Sequence, residues 1–383
     1  MERPLAPVEA ITGAVLLIVI FYDLFQSVVL PRPAVRKVQL ARTIIRPLWG
    51  LWKWALNRGS RIDRSEARLA AFAPLALLSL FLVWGIGLIT GYSLLIDSVA
   101  GQFRPPLNDW LTSFYVSATT LVPLSFGDFV PEHGPARLMI ILESGTGVAL
   151  AALAITLLFE LYGSFRSREE SVVALDALAG APPSAVQLLE TAAEEGMDGA
   201  LKETFDEWRR WSSMVLESHL AYPLLVYFRS SHDNEAWINS FGAVMDSAAL
   251  VISSTDSPAK GSARLMFTVG NHLVEDLAWV FRFKLAADPI IERSEYTAAI
   301  GRLKAAGYHV SDGDAAWEQF AHYRSKYASA LNLMAQYLLA PPAQWVGDRS
   351  YLPHRQRPRR RRLWSGRRAC CPGCGCASGS WCS

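Results

Sequence analysis

The sequence predicts an all-α membrane protein with three transmembrane helices, one re-entrant loop and a helical cytoplasmic domain. Three observations predict this fold class. Of the 383 residues, 51% are apolar. The apolar excess lies before residue 163, in long uncharged runs of the length that crosses a bilayer as a helix. The rest of the chain has the three-to-four spacing of apolar residues that is typical of soluble helices.

The predicted spans cover about Pro7 to Leu30, Leu69 to Ile96, and Leu138 to about Tyr162. The second span contains no charge, whereas the first contains Asp23. A carboxylate at membrane depth is costly unless it faces protein or water. The favoured interpretation places Asp23 near the membrane edge with its carboxylate reaching water, and the alternative buries it against protein.

The segment between the first two spans is strongly basic, and this sets the predicted orientation. Lys and Arg accumulate on the cytoplasmic side of membrane proteins, so the segment is expected to be cytoplasmic and the N-terminus external. Apolar residues at helical spacing predict a helix over residues 38–57. This helix lies either on the inner membrane surface or against the cytoplasmic domain. The basic residues are Arg32, Arg36, Lys37, Arg42, Arg46, Lys53, Arg58, Arg61, Arg64 and Arg68.

The cytoplasmic part is expected to be entirely helical and to bind no nucleotide, because no strand–helix alternation and no soluble G-x-G-x-x-G motif is present. Its ligand is left open, and no cofactor is expected. Helices are predicted over 184–195, 198–230, 234–254, 260–285, 295–306 and 313–340. The predicted organisation is a first transmembrane helix (1–31), a cytoplasmic basic amphipathic linker (32–68), a span–loop–span module (69–165), a helical cytoplasmic domain (166–345) and a tail (346–383).

The tail is rich in Arg and Cys and lacks apolar residues for a core, which predicts disorder. It holds all five cysteines, but one cluster without a second pair of ligands is not typical of a zinc site, so no metal is predicted. The net charge of +2 gives no general signal for nucleic-acid binding. The cysteines are Cys370, Cys371, Cys374, Cys376 and Cys382.

A few polar residues of the cytoplasmic part leave an enzyme or metal site open as an alternative. Three histidines and two acids could ligate a metal, but ordinary core or surface histidines are the favoured interpretation. No nucleophile motif or phosphate-binding loop accompanies them, so no enzymatic activity is predicted. The residues are His219, His232, Asp233, His272 and Asp276.

The external segment between the second and third spans contains a short helix. Asn108 and Asp109 can cap a helix that starts near Trp110. Pro123 disfavours helical geometry at Val122, so this helix should end at Leu121 or just after it. Twelve residues are too few to cross the membrane, which predicts a re-entrant loop.

Residues 117–128 resemble the pore helix and selectivity filter of the two-transmembrane potassium-channel superfamily, whose filter reads Thr-x-Gly-Tyr/Phe/Leu-Gly-Asp. The chain is similar to bacterial potassium-channel-like membrane proteins with an extra N-terminal span and a helical cytoplasmic domain. Segments 161–165, 175–183, 217–220 and 228–234 resemble the same group. The resemblance implies a multi-pass protein of the cell inner (plasma) membrane. It also implies a homotetramer in which each chain gives one pore loop to a path for a monovalent cation, expected to be K⁺.

Two filter positions depart from the family pattern. Pro123 stands where the family has Thr, so the hydroxyl of the innermost ion site is missing. Ser125 stands where the family has its first Gly, and a serine held at positive φ costs about 1–2 kcal/mol. The resemblance assigns Thr119 and Thr120 to the pore helix and the filter to Pro123, Leu124, Ser125, Phe126, Gly127 and Asp128.

Three residues of the third span are further candidates. Glu143 either braces the pore loop as a buried carboxylate or lies at the external surface. Gly145 and Gly147 either hinge the helix or permit close packing. The expected function is a cation channel with a degenerate filter, regulated by its helical domain. The alternative is a non-conducting membrane sensor or scaffold with the channel fold.

Overall fold

The computed structural model describes residues 6–29, 40–57, 67–194, 198–230 and 236–346 of the chain. Within these ranges nearly all regular structure is helical, and the one sheet has two short strands, which confirms the predicted all-α class. Three helices are long and apolar enough to cross a membrane. His232, Asp233 and the predicted tail after Val346 lie outside the described residues.

Among the described residues, the N-terminal part contains five α-helices of 12 residues or more. The first continues as a π-helical turn over Phe25–Val29. The segment after the third helix contains strand β1 (Phe103–Arg104), which pairs antiparallel with β2 (Val130–Pro131). The helices are α1 (Ala6–Leu24), α2 (Leu40–Asn57), α3 (Phe72–Ser98), α4 (Trp110–Leu121) and α5 (Gly134–Ala179).

Helices α1 and α3 pack closely because small residues face each other. A Cβ placed on Gly13 would lie 2.7 Å from the carbonyl oxygen of Gly91. Asp23 lies in this contact and is 5% exposed. The indole N–H of Trp84 donates a hydrogen bond of 2.8 Å to its carboxylate. The expectation that the Asp23 carboxylate reaches water is therefore wrong, and the alternative, in which it is buried against protein, is confirmed.

The third membrane helix is longer than predicted. Helix α5 passes through residue 165, where the span–loop–span module was predicted to end, and continues to Ala179. Nothing in this stretch breaks a helix until Gly180, which adopts a φ of +73°. The predicted domain boundary at 165/166 therefore lies inside one uninterrupted helix.

The helical domain follows as seven helices and one 3₁₀ segment. Three predicted helices differ clearly from expectation: the one over 198–230 ends at Ala221 because Pro223 follows, the one over 260–285 ends at Phe281, and the one over 313–340 is interrupted at Lys326 and Tyr327. The helices are α6 (Ala185–Glu194), α7 (Asp198–Ala221), α8 (Trp237–Ser254), α9 (Lys260–Phe281), α10 (Arg293–Ala305), α11 (Asp314–Ser325) and α12 (Ala328–Leu338), with the 3₁₀ segment at Pro223–Tyr227.

Tyr327, at the interruption between α11 and α12, takes part in a buried polar cluster. Its buried hydroxyl donates to the carboxylate of Asp246, which also forms an ion pair of 2.9 Å with Arg324. Burial raises the pKa of Asp246 to about 6, while the Arg324 guanidinium opposes this rise. Asp246 therefore joins α8 to the end of α11 and to Tyr327, the residue before α12.

Helix α2 packs on the helical domain, as one of the two interpretations of residues 38–57 expected. The Trp49 indole N–H donates to the carbonyl oxygen of Tyr337 at 3.2 Å, and its ring lies 5.4 Å from that of Tyr227. Arg46 donates to the carbonyl oxygen of Val280 at 2.7 Å. One continuous hydrophobic core therefore joins α2, the start of α3 and the helical domain.

Candidate functional site

The short helix α4 is fixed at both ends by local hydrogen bonds. The Asp109 carboxylate accepts from the amide of Thr112 at 2.8 Å and caps the N-terminus. The helix ends at Leu121, as the position of Pro123 predicts. The carbonyl oxygen of Thr119 then accepts from the amides of Leu124 and Ser125, which turns the chain sharply after the helix.

The segment after α4 has the backbone geometry that the resemblance requires at two positions. Ser125 adopts a φ of +41° and Gly127 a φ of +81°. A serine in this region carries strain that glycine does not. Residues 122–128 are all exposed in the single chain, with Leu124 and Phe126 more than half accessible. We call residues 123–128 the filter segment.

Thr119 and Thr120, the two predicted pore-helix residues, lie on α4. Thr120 is buried, whereas the Thr119 hydroxyl lies 3.0 Å from the carbonyl oxygens of Tyr115 and Val116 in its own helix. Thr119 therefore contributes to the filter segment through its backbone carbonyl rather than through its side chain.

Buried polar contacts hold α4 against the two neighbouring membrane helices. The Ser113 hydroxyl donates to the Asp97 carboxylate of α3 at 2.7 Å. One helical turn later, the Ser117 hydroxyl contacts both the carbonyl oxygen of Ile89 in α3, at 2.9 Å, and the carboxyl group of Glu143 in α5. Ser113 and Ser117 lie four residues apart and so share one helix face.

Hydrogen-bond accounting favours a proton on Glu143. The Ser117 hydroxyl has one hydrogen, and the Ile89 carbonyl can only accept. Each contact has a hydrogen of its own when the Glu143 carboxyl group is protonated and donates to Ser117; with a carboxylate, the two acceptors share the one Ser117 hydrogen. Glu143 is fully buried, and its second oxygen has no partner among the described residues. A neutral carboxylic acid satisfies this site at a lower desolvation cost than a carboxylate does.

This assignment predicts how Glu143 substitutions behave. Glu143→Gln keeps a donor for Ser117 and should retain assembly and ion flux near the level of the unmodified protein. Glu143→Ala removes the donor and leaves a void, which should lower the free energy of unfolding by about 1–3 kcal/mol per chain. Thermal unfolding and ion flux in proteoliposomes measure both effects. Loss of flux in Glu143→Gln would show that a carboxylate is required.

Gly147 lets α5 contact the C-terminal end of α4 directly. A Cβ at Gly147 would overlap the backbone carbonyl group of Leu121. By contrast, a Cβ at Gly145 would meet nothing within 4 Å. Both glycines lie inside the continuous helix α5. In this arrangement the close-packing interpretation accounts for Gly147, and Gly145 faces open space in the single chain.

A buried arginine joins α5 to the helical domain. The guanidinium of Arg168 donates to the carbonyl oxygens of Leu225 and Phe228 at 3.0 Å and 2.7 Å. It also contacts Glu169 at 2.9 Å and the imidazole of His219 at 3.3 Å. We call Arg168 and these four partners the Arg168 clamp.

His219 is neutral in the Arg168 clamp. Burial and, secondarily, the Arg168 charge lower its pKa well below the usual range. Its Nε2 therefore accepts from Arg168. The segments 217–220 and 228–234, which the resemblance singled out, thus both reach this arginine at positions that the structure describes.

Sequence reasoning missed Asp97, Ser113 and Arg168. Asp97 follows the second predicted span, and Arg168 is one of several charged residues after the third. Neither position in the sequence indicates a buried partner. His272 and Asp276 form an exposed pair, with the His272 Nε2 atom 3.5 Å from an Asp276 carboxylate oxygen. His219, by contrast, is buried. Among the described residues, no three His, Cys, Asp or Glu side chains come together as metal ligands.

Residues 78–163 match a family model described as "Ion channel". The match runs from α3 through α4 and the filter segment to Gly163 of α5. The resemblance to potassium-channel-like proteins is thereby confirmed over these residues, and the protein is a membrane protein with an ion-channel domain. Such domains are in general non-enzymatic. No curated protein and no solved structure matches the chain.

Proposed function

We propose that the protein is a cation channel of the inner (plasma) membrane, assembled as a homotetramer and regulated by its helical domain. The observation that carries this proposal is the filter segment. It follows a capped twelve-residue helix between two membrane helices and has positive φ at Ser125 and Gly127, the two positions of filter glycines in the family. Such a backbone turns successive carbonyl oxygens toward one side, where they can replace the hydration shell of a cation.

The single chain leaves this site incomplete, which supports an oligomer. The filter segment is exposed, and so is much of the apolar surface of α5. One loop lines one side of a pore, and a cyclic assembly of four chains would enclose the pore. The proposed permeant ion is monovalent, with K⁺ as the first ion to test and no cofactor in the path.

The uninterrupted helix α5 supports regulation by the helical domain. It contacts α4 at Gly147 and reaches the Arg168 clamp about 30 Å further along, at 1.5 Å per residue. A displacement of the 3₁₀ segment Pro223–Tyr227 is therefore transmitted to α5 through a buried charge and not through a mobile linker. The basic segment around α2 supports a cytoplasmic location of this domain and an external N-terminus.

This coupling predicts a contrast between two neighbouring arginines. Arg168→Gln should leave at least two of the four partners in the Arg168 clamp without a donor and change the open probability by about tenfold or more, since each such loss costs about 1–3 kcal/mol in the state that keeps the clamp. Arg166→Gln removes only an exposed pair with Glu170 and should change little. Single-channel recording in planar bilayers measures both variants. If Arg168→Gln and Arg166→Gln change the open probability equally, the Arg168 clamp has no part in gating.

A non-conducting sensor or scaffold remains the second candidate, because Pro123 and Ser125 depart from the filter pattern. The decisive experiment is K⁺ and Na⁺ flux in proteoliposomes containing the purified full chain. Cation flux that disappears in the absence of protein supports the channel. An assembled, folded protein without flux supports the scaffold.

A further inference from the structure

We propose that the helical domain itself binds the membrane surface, through residues 279–285 at the end of α9, and that it selects anionic lipid headgroups there. This goes beyond the proposed channel function, because it assigns a second membrane contact outside the ion-channel domain. We call residues 279–285 the α9 tip.

Helix α2 marks the level of the membrane boundary. It lies in the chain between the first two spans, and its Trp49 ring packs against Phe72, the first residue of α3, with centroids 4.7 Å apart. The Trp52 indole N–H donates to the carbonyl oxygen of Arg68 at 3.2 Å. Helix α2 is therefore held beside the end of a span.

The outward face of α2 is apolar. Pro47, Leu51, Trp54 and Ala55 are exposed, while Trp49 on the opposite face is buried against the helical domain. A helix with one face on protein and an exposed apolar face containing Trp and Leu is typical of a membrane interface. The side of α2 turned away from the domain thus indicates where lipid begins.

The α9 tip lies beside α2. Arg46 of α2 donates to the carbonyl oxygen of Val280. The Lys53 ammonium group lies 4.8 Å from the centroid of the Tyr337 ring, and that ring lies 5.3 Å from Phe281. These contacts hold the residues on either side of Val280 against α2, within about 10–12 Å, the diameter of one helix, of its outward face.

The exposed chemistry of the α9 tip fits an anionic interface. Trp279 is 61% exposed and Leu285 is 48% exposed. Arg282 and Lys284 are exposed between them and form no ion pair with any residue that the structure describes. Tryptophan beside Lys and Arg is the combination enriched at membrane interfaces. Both exposed charges are positive, so an anionic lipid surface is the favoured occupant.

The test places a spin label at the α9 tip in the full-length protein. The background carries serine at the five tail cysteines, the label is attached at Trp279→Cys, and the protein is held in nanodiscs with anionic phosphatidylglycerol. Leu265→Cys is the matched control, because Leu265 is 56% exposed on the same helix, about 21 Å away. The readout compares collisions with apolar oxygen and with a water-soluble nickel chelate.

We expect the Trp279→Cys label to collide more often with oxygen than with the nickel chelate. The Leu265→Cys label should collide more often with the nickel chelate. Arg282→Gln with Lys284→Gln should lower the ratio of docked to undocked label about 30-fold in anionic discs, for two cations near the surface. Arg264→Gln should leave this ratio unchanged.

Two results would overturn the proposal. The first is equal collision behaviour at Trp279→Cys and Leu265→Cys. The second is a Trp279→Cys label that is hidden from both reagents and broadened by a neighbouring label, which would assign the surface to a second copy. Because the readout does not depend on conduction, it is independent of whether the channel proposal holds.

Discussion

Gly147→Ala is expected to abolish ion flux, whereas Gly145→Ala is expected to be tolerated. The added methyl group at Gly147 would overlap the backbone carbonyl of Leu121, which cannot move aside by a rotamer change. Overpacking of this kind costs about 1–3 kcal/mol at each site, and a tetramer has four. Helix α5 must then move away from α4, and the filter segment loses the support behind it.

The two variants form a matched pair because both glycines lie in α5, two residues apart, and both change to the same residue. Flux in proteoliposomes and thermal unfolding of the solubilised protein measure the effects. We expect Gly147→Ala to lose flux and to unfold at a lower temperature. Retention of both properties in Gly147→Ala would show that α5 has freedom to move away from α4 without consequence.

Restoring the filter pattern should increase selectivity for K⁺. The double substitution Pro123→Thr with Ser125→Gly supplies the missing hydroxyl and removes the strain at a φ of +41°. Relief of about 1–2 kcal/mol per chain corresponds to roughly a tenfold change in an equilibrium at each site. We expect the ratio of K⁺ to Na⁺ flux to rise by about tenfold or more over the unmodified protein.

Controls separate filter geometry from general effects of substitution. Phe126→Ala or Asp128→Ala in the double-substituted background should abolish the gain in selectivity, since both residues fit the family pattern. Ser125→Gly alone should raise flux more than Ser164→Gly on α5. If the unmodified protein already carries strongly K⁺-selective current, the two departures do not weaken the filter. If neither form conducts, the scaffold becomes the better proposal.

Local sequence signals predicted where α4 begins and ends. Asp109 has one short carboxylate and caps the helix that follows it, and Pro123 limits where that helix ends. Both effects act within a few residues, so they need no knowledge of the fold. The same locality explains the error at α5: the apolar run ends near Tyr162, but a helix continues through polar residues until Gly180 breaks it.

The sequence by itself determined the membrane helices, the short capped helix and the helical nature of the remaining domain. These follow from hydropathy, periodicity and turn residues, which act along the chain. Only the tertiary structure decided that Asp23 binds Trp84, that Glu143 meets Ser117 and that Arg168 reaches the Pro223–Tyr227 segment. A buried polar group needs a partner, but its partner can lie anywhere in the chain, so the pairing is fixed only when the helices pack.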